Sequence, residues 1–280
     1  MKTAYQKDEA LLADIAQTRE DGESKVWWLG QSGFLVVTPT TTVLFDPYLS
    51  DSLTTKYADT DKPHVRVTEK VIEPAKLTGI DVITTSHNHT DHLDKETLLA
   101  LFAANPEAKL LGPRANHTFI AERLGLEHED RLIDLNAGES VEIAGATFHG
   151  ITAAHNTVDR DEDGNCKFMG FVAQIGDLSL YHSGDTLLHD GLAETLKGFA
   201  PDIAFLPING NKPERRVAGN LNPKEAAELG KAIDAGLVIP HHFDMFEFNT
   251  ADPAEFEAEC ERVGQTQRVL GNGEGIEILS

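Results

Sequence analysis

Apolar residues recur along the chain with two periods, that of an α-helix near the start and that of short strands afterwards. Residues 1–21 carry apolar side chains at helical spacing, which predicts an amphipathic helix from Glu9 to Arg19. Three short apolar runs follow, separated by glycine and proline, and their close spacing predicts an antiparallel meander. These runs are Val26–Leu29, Phe34–Val37 and Val43–Asp46.

Strands and helices alternate through the rest of the chain. Asn222 and Asp252 each precede a proline and stand three residues before a glutamate, an arrangement that begins a helix. We predict two mixed β-sheets packed face to face with helices on the outer faces, an α/β sandwich in one domain spanning residues 1–280. The predicted strands are Ile80–Thr85, Lys109–Leu111, segments through Ile133, Val141 and Phe148, Phe171–Ile175, Leu178–Ser183, Ile203–Leu206 and Gly275–Leu279. The predicted helices run from Asp94 to about Ala104, near Asn116–Leu124 and over Leu192–Gly198.

The acidic composition narrows the choice of partners. The sequence has 46 acidic and 24 basic residues, and its formal net charge of -22 repels nucleic-acid phosphates and anionic membrane surfaces. We therefore expect a small-molecule substrate, no general binding to nucleic acids and no binding to membranes. The chain has no signal sequence and no run of about 18 apolar residues, which predicts a cytoplasmic protein. The N-terminal helix packs either on the body of the fold or on a second copy of the chain in a homo-oligomer.

The sequence H-N-H-T-D-H at residues 87–92 is dense in metal-ligand side chains and follows a predicted buried strand. His87 and His89 point to one side of an extended backbone, whereas Asp91 and His92 fall where the next helix begins. Two sets of donors therefore leave one loop in different directions. Imidazole and carboxylate donors suit zinc, iron or manganese.

Three later segments place a ligand-type residue just after an apolar strand. His155 and Asp185 each follow such a strand, and the adjacent histidines His241 and His242 follow a third. Because strand ends on one edge of a sheet converge, we expect these side chains to lie near residues 87–92.

The order of these four segments resembles the metallo-β-lactamase superfamily over nearly the whole chain. The resemblance implies an αβ/βα four-layer sandwich with two divalent metal ions, zinc or manganese, on one edge. His242 is preferred to His241, since the family places this ligand two residues after a proline, here Pro240. By motif, His87, His89 and His155 would hold the first ion, Asp91, His92 and His242 the second, and Asp185 would bridge both.

The resemblance also assigns roles around the two ions. Asp46, at the end of a predicted strand, looks like the family's carboxylate that orients a ligand imidazole, although it is also explained as a turn residue before Pro47. A metal-bridging hydroxide is the expected nucleophile, because two dications lower the pKa of a shared water to about 7. Asp91 or His182 would carry the proton to the leaving group, unless His182 is a buried structural histidine.

Within the superfamily, the chain resembles two branches. The W-W-L-G and H-S-G-D segments look like the L-ascorbate-6-phosphate lactonases. The H-N-H-T-D-H-L-D and L-P-I segments look like the N-acyl-phosphatidylethanolamine-hydrolysing phospholipases D. A cation-rich loop is the candidate phosphate-binding segment, because arginine donates two hydrogen bonds to a phosphate, and a solvated surface loop is the alternative. Its candidate substrate residues are Asn209, Lys212, Arg215 and Arg216.

The sequence therefore predicts a metal-dependent hydrolase of a small lactone or other ester, phosphorylated or not. One alternative is a phosphodiesterase, either for a small phosphodiester or of the nuclease type. A second is a non-catalytic metal-binding scaffold or sensor, and a third is an oxidoreductase of the same fold that binds iron.

Overall fold

A computed structural model describes residues 1–278, which form thirteen β-strands and seven α-helices. The strands are β1 (Lys25–Gly30), β2 (Gly33–Val37), β3 (Thr42–Phe45), β4 (Val82–Thr84), β5 (Lys109–Pro113), β6 (Leu132–Leu135), β7 (Ser140–Ile143), β8 (Ala146–Thr152), β9 (Met169–Ile175), β10 (Leu178–His182), β11 (Ile203–Pro207), β12 (Leu237–His241) and β13 (Gly275–Glu277). The helices are α1 (Asp8–Asp21), α2 (Ser52–Lys56), α3 (Lys95–Ala104), α4 (His117–Leu124), α5 (Leu192–Lys197), α6 (Pro223–Ala232) and α7 (Pro253–Val263).

The first sheet joins the N-terminal meander to a parallel half, in the strand order β13-β1-β2-β3-β4-β5-β6. The strands from β13 to β3 pair antiparallel, and those from β3 to β6 pair parallel. Both faces of β1 are buried, as the two-residue period of a strand allows. Val26 and Trp28 belong to the core shared with the second sheet, whereas Trp27 and Leu29 pack with the outer helices.

The second sheet is also mixed, in the order β12-β11-β10-β9-β8-β7. Strands β7 to β10 pair antiparallel, and β10 to β12 pair parallel. Strand β12 lies at the edge, where Pro240 is tolerated because an edge strand does not need every backbone N–H for pairing.

The two sheets pack face to face between two layers of helices. Phe34 of the first sheet stacks on Phe205 of the second, with ring centroids 4.2 Å apart. Helices α1, α3 and α4 share an apolar core with the outer face of the first sheet, and α5, α6 and α7 pack with the second sheet. This arrangement confirms the predicted α/β sandwich with helices outside.

The predicted elements differ from the structure mainly at their ends and in one omitted helix. Helix α2 has a single buried apolar side chain, Leu53, so its sequence carries no helical period. The predicted last strand is β13, which ends at Glu277, and Leu279 lies outside the described residues. No helix within residues 1–278 is both long and apolar enough to cross a membrane.

Candidate metal centre

The segment 87–92 forms a compact turn between β4 and α3. The backbone N–H groups of His92 and Leu93 both donate to the carbonyl oxygen of His89, at 3.1 and 2.8 Å. Asp94 then begins α3, because its side chain accepts a hydrogen bond from the backbone N–H of Thr97. The turn thus directs successive side chains of the segment to different sides.

Seven side chains from four strand ends meet beside this turn, and they are the seven that the sequence predicts as metal ligands. They form two groups, in each of which the donor atoms lie within 4.8 Å of one another. The first group is His87, His89 and His155, and the second is Asp91, His92, Asp185 and His242.

Asp185 lies between the two groups. Its Oδ1 atom is 3.3 Å from His92 Nε2, and its Oδ2 atom is 3.7 Å from His155 Nε2 and 3.5 Å from His242 Nε2. The preceding Gly184 has a φ of +57°, and a Cβ atom there would lie 2.5 Å from the Cβ of Ser86. Glycine at this position therefore allows the Asp185 loop to approach the metal-ligand segment.

The donor atoms fit a pair of metal ions. Among the described residues, His87 Nε2, His92 Nε2 and Asp185 Oδ1 are buried and have no hydrogen-bond partner. Buried polar atoms are normally paired, so this cluster of atoms without a hydrogen-bond partner indicates a cation that the side chains would share. The Nδ1 atom of His155 lies 2.9 Å from the carbonyl oxygen of Gly219, which leaves its Nε2 lone pair free for a metal.

Asp46 contacts the ring of His92 and orients it. Its Oδ2 atom lies 2.7 Å from His92 Nδ1, and its Oδ1 atom accepts hydrogen bonds from Thr84 Oγ1 at 2.7 Å and from the backbone N–H of Ser86 at 3.1 Å. Burial opposes ionisation of this carboxyl, but the nearby imidazoles of His182 and His92 hold its pKa below the usual value. The φ of Asp46 is +38°, a left-handed conformation that turns the side chain from the end of β3 towards His92.

Of the two adjacent histidines, His242 lies in the metal group and His241 does not. His242 has a φ of +63°, so the backbone bends at the end of β12 and directs its ring towards Asp91 and Asp185. The Nδ1 atom of His241 instead lies 3.1 Å from Ser32 Oγ within the core. Both positions agree with the predicted preference for His242.

Gln31 contacts the centre and is a residue that sequence reasoning missed. Its side-chain N–H donates to Asp91 Oδ2 at 2.9 Å, and the same nitrogen lies 3.1 Å from His242 Nε2. Its carbonyl oxygen accepts the backbone N–H of His242 at 3.1 Å. Gln31 thus holds two residues of the second group, Asp91 and His242, in place. The one local signal is its position in the glycine-flanked turn Gly30–Gly33 between β1 and β2.

Charges of opposite sign balance one another within the second group. Burial disfavours a charged imidazole, but Asp185 and Asp91 outweigh it, raising the pKa of His92 well above its ordinary value and that of His242 to about 9. Burial also disfavours the carboxylates, yet His92 and His242 hold the pKa of Asp91 and Asp185 well below the usual range. At His87, burial and the neighbouring imidazoles both lower the pKa.

The predicted proton-transfer role of His182 is wrong, because the ring lies in the core. Its side chain is fully buried, and it stacks on Phe45 with ring centroids 5.2 Å apart. Its Nε2 atom lies 2.8 Å from the carbonyl oxygen of Ser32, and its Nδ1 atom accepts the backbone N–H of Gly184 at 3.2 Å. Both ring nitrogens are therefore engaged by the backbone, and neither faces a substrate.

The four predicted phosphate-binding side chains do not line the cleft beside the two groups either. Arg215 donates from Nη1 to the carbonyl oxygen of Asn209 at 2.6 Å and to Asn249 Oδ1 at 2.9 Å, and from Nη2 to the carbonyl oxygen of Thr250 at 2.7 Å. Asn209 is buried and donates its own side-chain N–H to Asn249 Oδ1. These two residues join loops to each other, so their polar groups are not available to a substrate.

The other two cations of this loop are also directed elsewhere. Arg216 is paired with Asp61 on the surface. Lys212 lines a separate groove between the beginnings of α6 and α7. The run of cations in the sequence therefore indicated the wrong side chains, because none of the three lines the cleft beside the two donor groups.

The metal groups open into a cleft of about 550 Å³. Its lining includes His89, Asp91, His155, Asp185 and His242 on one side. The remaining wall carries the cations Lys56, Lys62 and Arg123, the imidazole of His64, and apolar side chains that include Leu53, Tyr57, Phe119 and Val217. Sequence reasoning missed all of these wall residues, which come from segments without a ligand motif.

Comparison with known proteins identifies the family. A beta-lactamase superfamily domain matches residues 41–243. A UPF0173 metal-dependent hydrolase of Opitutus terrae is 30% identical over 258 residues, which cover 91% of this chain and 100% of that protein. This chain belongs to the UPF0173 metal-dependent hydrolase family. It is thereby a member of the metallo-β-lactamase superfamily, as its motifs predicted.

Solved structures share the fold at lower identity. Igni18, a metallo hydrolase from Ignicoccus hospitalis, superposes with a TM-score of 0.67 and 21% identity over 92% of this chain and 99% of that one. CmlA, a diiron beta-hydroxylase from Streptomyces venezuelae, gives a TM-score of 0.65 and 17% identity over 91% of this chain and 54% of that one. These likenesses show the fold alone, and the lactonase and phospholipase D branches stay predictions.

Proposed function

We propose that this family member is a binuclear metal-dependent hydrolase of a small ester or lactone. The observation that carries the proposal is the pair of adjacent donor groups whose buried atoms His87 Nε2, His92 Nε2 and Asp185 Oδ1 have no partner within residues 1–278. Histidine and carboxylate donors without thiolate suit zinc or manganese. Both groups open into one cleft, so a substrate can reach both.

In this proposal, some residues of the site bind the metal ions and others transfer the proton. When bound, two dications lower the pKa of water and polarise the oxygen of an ester or phosphoryl group. His87, His89 and His155 would hold one ion, and Asp91, His92 and His242 the other, with Asp185 between them. Asp46 fixes the ring of His92, which keeps its Nε2 atom directed at the ion.

Asp91 is the carboxylate placed to accept a proton beside the substrate. It lines the cleft, and Gln31 donates a hydrogen bond to its Oδ2 atom at 2.9 Å, which leaves Oδ1 free. A carboxylate held in this way can take the proton of the attacking water and release it to the leaving group.

His64 takes the place that the sequence had given to His182. It lines the cleft, and its Nδ1 atom lies 2.8 Å from the carbonyl oxygen of Lys62, so its Nε2 atom is an acceptor. Burial lowers its pKa, which keeps the ring neutral near pH 7. In this proposal, Nε2 of His64 is a second acceptor for the proton of the attacking water, and the resulting imidazolium returns that proton to the leaving group.

A phosphodiesterase is the second candidate, favoured by the three cations of the cleft wall, Lys56, Lys62 and Arg123. Cations beside two metal ions would stabilise the charge of a phosphoryl transition state. The two candidates require the same metal groups and differ only in the bond that is cleaved.

Parallel measurement of metal content and activity tests the proposal. Freshly purified protein is analysed for zinc, manganese and iron, and is assayed against lactones, carboxylic esters, thioesters and phosphodiesters. We expect two ions per chain and turnover on one of the ester classes. Removing a required metal ligand costs several orders of magnitude in rate, so Asp91→Ala should abolish turnover.

The control is Asp14→Asn, which alters a hydrogen-bonded carboxylate on α1 remote from the cleft. It should leave metal content and turnover unchanged. A single ion bound without Asp91 and His92 contradicts the two-metal assignment. Retained activity in Asp91→Ala contradicts the role of Asp91.

A further inference from the structure

Two cations lie against the metal-ligand segment itself. The Nζ atom of Lys56 donates to Oγ1 of Thr90 at 3.3 Å. Thr90 lies between His89 and Asp91 in the sequence. The Nη1 atom of Arg123, on α4, donates to the carbonyl oxygen of Asn88 at 3.2 Å. Both side chains line the cleft, so they contact the ligand segment from the substrate side.

Lys56 and Arg123 make no ion pair with a carboxylate within residues 1–278, and neither does Lys62. In a protein with a net charge of -22, a basic side chain has many acidic neighbours to choose from. Lys25, Arg114 and other basic residues outside the cleft are paired in this way.

Most N–H donors of Lys56, Lys62 and Arg123 have no hydrogen-bond partner among the described residues. Only Nη1 of Arg123 has hydrogen-bond partners among the described residues, the carbonyl oxygens of Asn88 and Leu93, which leaves Nε and Nη2 unused. Lys62 donates one hydrogen bond, to the carbonyl oxygen of Arg216 at 2.6 Å. An ammonium has three donors and a guanidinium five, so each side chain retains donors for a ligand.

An apolar surface lies beside these cations. The Arg123 guanidinium stands 5.1 Å from the ring centroid of Phe119, which is 42% exposed. Leu53 and Tyr57 also line the cleft. A ligand that fits this wall therefore has an anionic group next to an apolar part.

We propose that Lys56, Lys62 and Arg123 bind an anionic group of the substrate, a phosphate or carboxylate carried on an apolar organic body. This inference rests on the proposed hydrolase function, since it names the substrate class of the same cleft. It moves the anion-binding role from the side chains of Lys212, Arg215 and Arg216, which do not line the cleft, to three that do. Charge-assisted hydrogen bonds of this kind are shorter and stronger than neutral ones, so they discriminate anionic from neutral substrates.

Calorimetric titration with three matched probes tests the proposal. Phenyl phosphate, phenylacetate and benzyl alcohol share an aromatic body and differ in charge. Each is titrated into the metal-loaded protein and into chelator-treated protein, in which metal ions make no contribution to binding. The variants are Lys56→Gln and Arg123→Gln, with Lys212→Gln as the control for an exposed cation outside the cleft.

In chelator-treated protein we expect at least one anionic probe to bind about tenfold more tightly than benzyl alcohol, and the tighter of the two anions identifies phosphate or carboxylate. Lys56→Gln and Arg123→Gln should each lower the affinity for that anion by about tenfold, while Lys212→Gln should leave the affinity unchanged. Lys56 is exposed, so its variant keeps the test decisive even if Arg123→Gln does not fold.

Equal binding of all three probes overturns the proposal, as does an equal loss of affinity in Lys212→Gln and Lys56→Gln. The hydrolase function is tested separately by turnover of the metal-loaded protein. If no ester is hydrolysed but the anion preference of the chelator-treated protein depends on Lys56, the anion site is supported and the proposed reaction is not.

Discussion

Asp46 shows how one carboxylate connects the core to the metal groups. It lies at the end of β3, is fully buried, and accepts hydrogen bonds from Thr84 and Ser86 at the end of β4. Its remaining contact, 2.7 Å from Oδ2 to His92 Nδ1, fixes which ring nitrogen faces the metal groups. A hydrogen bond of this kind both orients the ring and raises its basicity as a ligand.

Asp46→Asn should weaken metal binding by about 10- to 100-fold, because the amide cannot replace the charge of the carboxylate beside His92. Competition against a chromophoric chelator measures the affinity, and circular dichroism checks the fold. Asp14→Asn serves as the control, since Asp14 also accepts several hydrogen bonds but contacts Lys25 and Trp27 instead of the metal groups. Unchanged metal affinity in Asp46→Asn would show that His92 is oriented without it.

The clustering of the histidines and aspartates in the two donor groups was predictable because these residue types carry their own chemical signal. Three histidines and an aspartate within six positions are rare, so this motif can be recognised without knowledge of the fold. Gln31, Lys56 and Arg123 carry no such signal, because glutamine, lysine and arginine are common on any surface. Their roles arise from long-range contacts, such as that of Arg123 with the carbonyl oxygen of Asn88.

His182 and the loop of Arg215 and Arg216 show the opposite error. A histidine three residues before Asp185, or a group of cations close together in the sequence, indicates a site only if the side chains face the cleft. The direction of His182 depends on its register in β10, where its partner is Phe205 of β11. The sequence shows alternation along a strand, but it does not show which face meets the second sheet.

At the scale of elements, the two helices predicted to begin at Asn222 and Asp252 are capped differently. Asn222 forms a full capping box, in which its side chain accepts the backbone N–H of Glu225 and the Glu225 side chain accepts the backbone N–H of Asn222. The side chain of Asp252 accepts only the backbone N–H of Ala254 among the described residues. An asparagine and an aspartate at the same position before Pro and Glu therefore give caps that satisfy two orphan N–H groups in α6 and one in α7.

Asn222→Ala should lower the free energy of unfolding by about 1 kcal/mol, because it leaves the first turn of α6 without its cap. Urea denaturation followed by circular dichroism measures the change. The matched variant is Asp252→Ala, for which we expect a smaller loss, since its cap is exposed and lacks the reciprocal bond. A larger loss in Asp252→Ala than in Asn222→Ala would contradict this ranking.

The loop that contains Arg215 has a structural role between β11 and α6. Arg215→Ala should lower the free energy of unfolding by about 1 to 2 kcal/mol, because the three hydrogen bonds to Asn209, Asn249 and Thr250 are lost. It should change the affinity for phenyl phosphate and benzyl alcohol equally. A selective loss of phenyl phosphate binding, measured by the same calorimetry, would restore the anion-binding role that the sequence suggested.

The strands were predictable where both faces are buried or the period is clear, as in β1 to β3 and β9 to β12. The small apolar cluster of Tyr48, Leu53, Met245 and Phe246 was not predictable, because its members come from two parts of the chain that are distant in sequence. No local pattern indicates that these two parts meet.

At the scale of the whole molecule, the two donor groups lie where the two sheets meet. Their residues follow β4 of the first sheet and β8, β10 and β12 of the second sheet. Ions bound there would join the ends of both sheets. Because the unfolded chain lacks the assembled groups, metal binding must stabilise the fold.

Zinc or manganese at about 100 times its dissociation constant should add about 2.7 kcal/mol to the free energy of unfolding for each ion bound. For a chain of 280 residues, each such gain raises the melting temperature by about 5 °C. Differential scanning calorimetry of metal-loaded and chelator-treated protein measures the shift. Asp91→Ala should show a smaller shift, and equal shifts in the variant and the parent would indicate that the stabilising ions bind elsewhere.

The metal-dependent part of this stability should increase with pH. In the metal-free fold, Asp185 and Asp91 outweigh burial and raise the pKa of His92 well above its ordinary value and that of His242 to about 9, so both rings are protonated at neutral pH. Pairing of these imidazolium groups stabilises the metal-free fold, and the part due to His242 is lost as the pH rises through its folded-state pKa of about 9.

A metal ion requires neutral imidazole, so its binding must release these protons. Each proton released makes the apparent affinity fall by about tenfold per pH unit below the pKa, and two protons make it fall by about 100-fold. The melting temperature of metal-free protein should therefore decrease towards high pH while the increment due to metal grows. Calorimetric titration of metal in two buffers of different ionisation enthalpy counts the protons. Release of no protons near pH 7 would contradict binding through His92 and His242, because those rings carry the protons that a metal ion must displace.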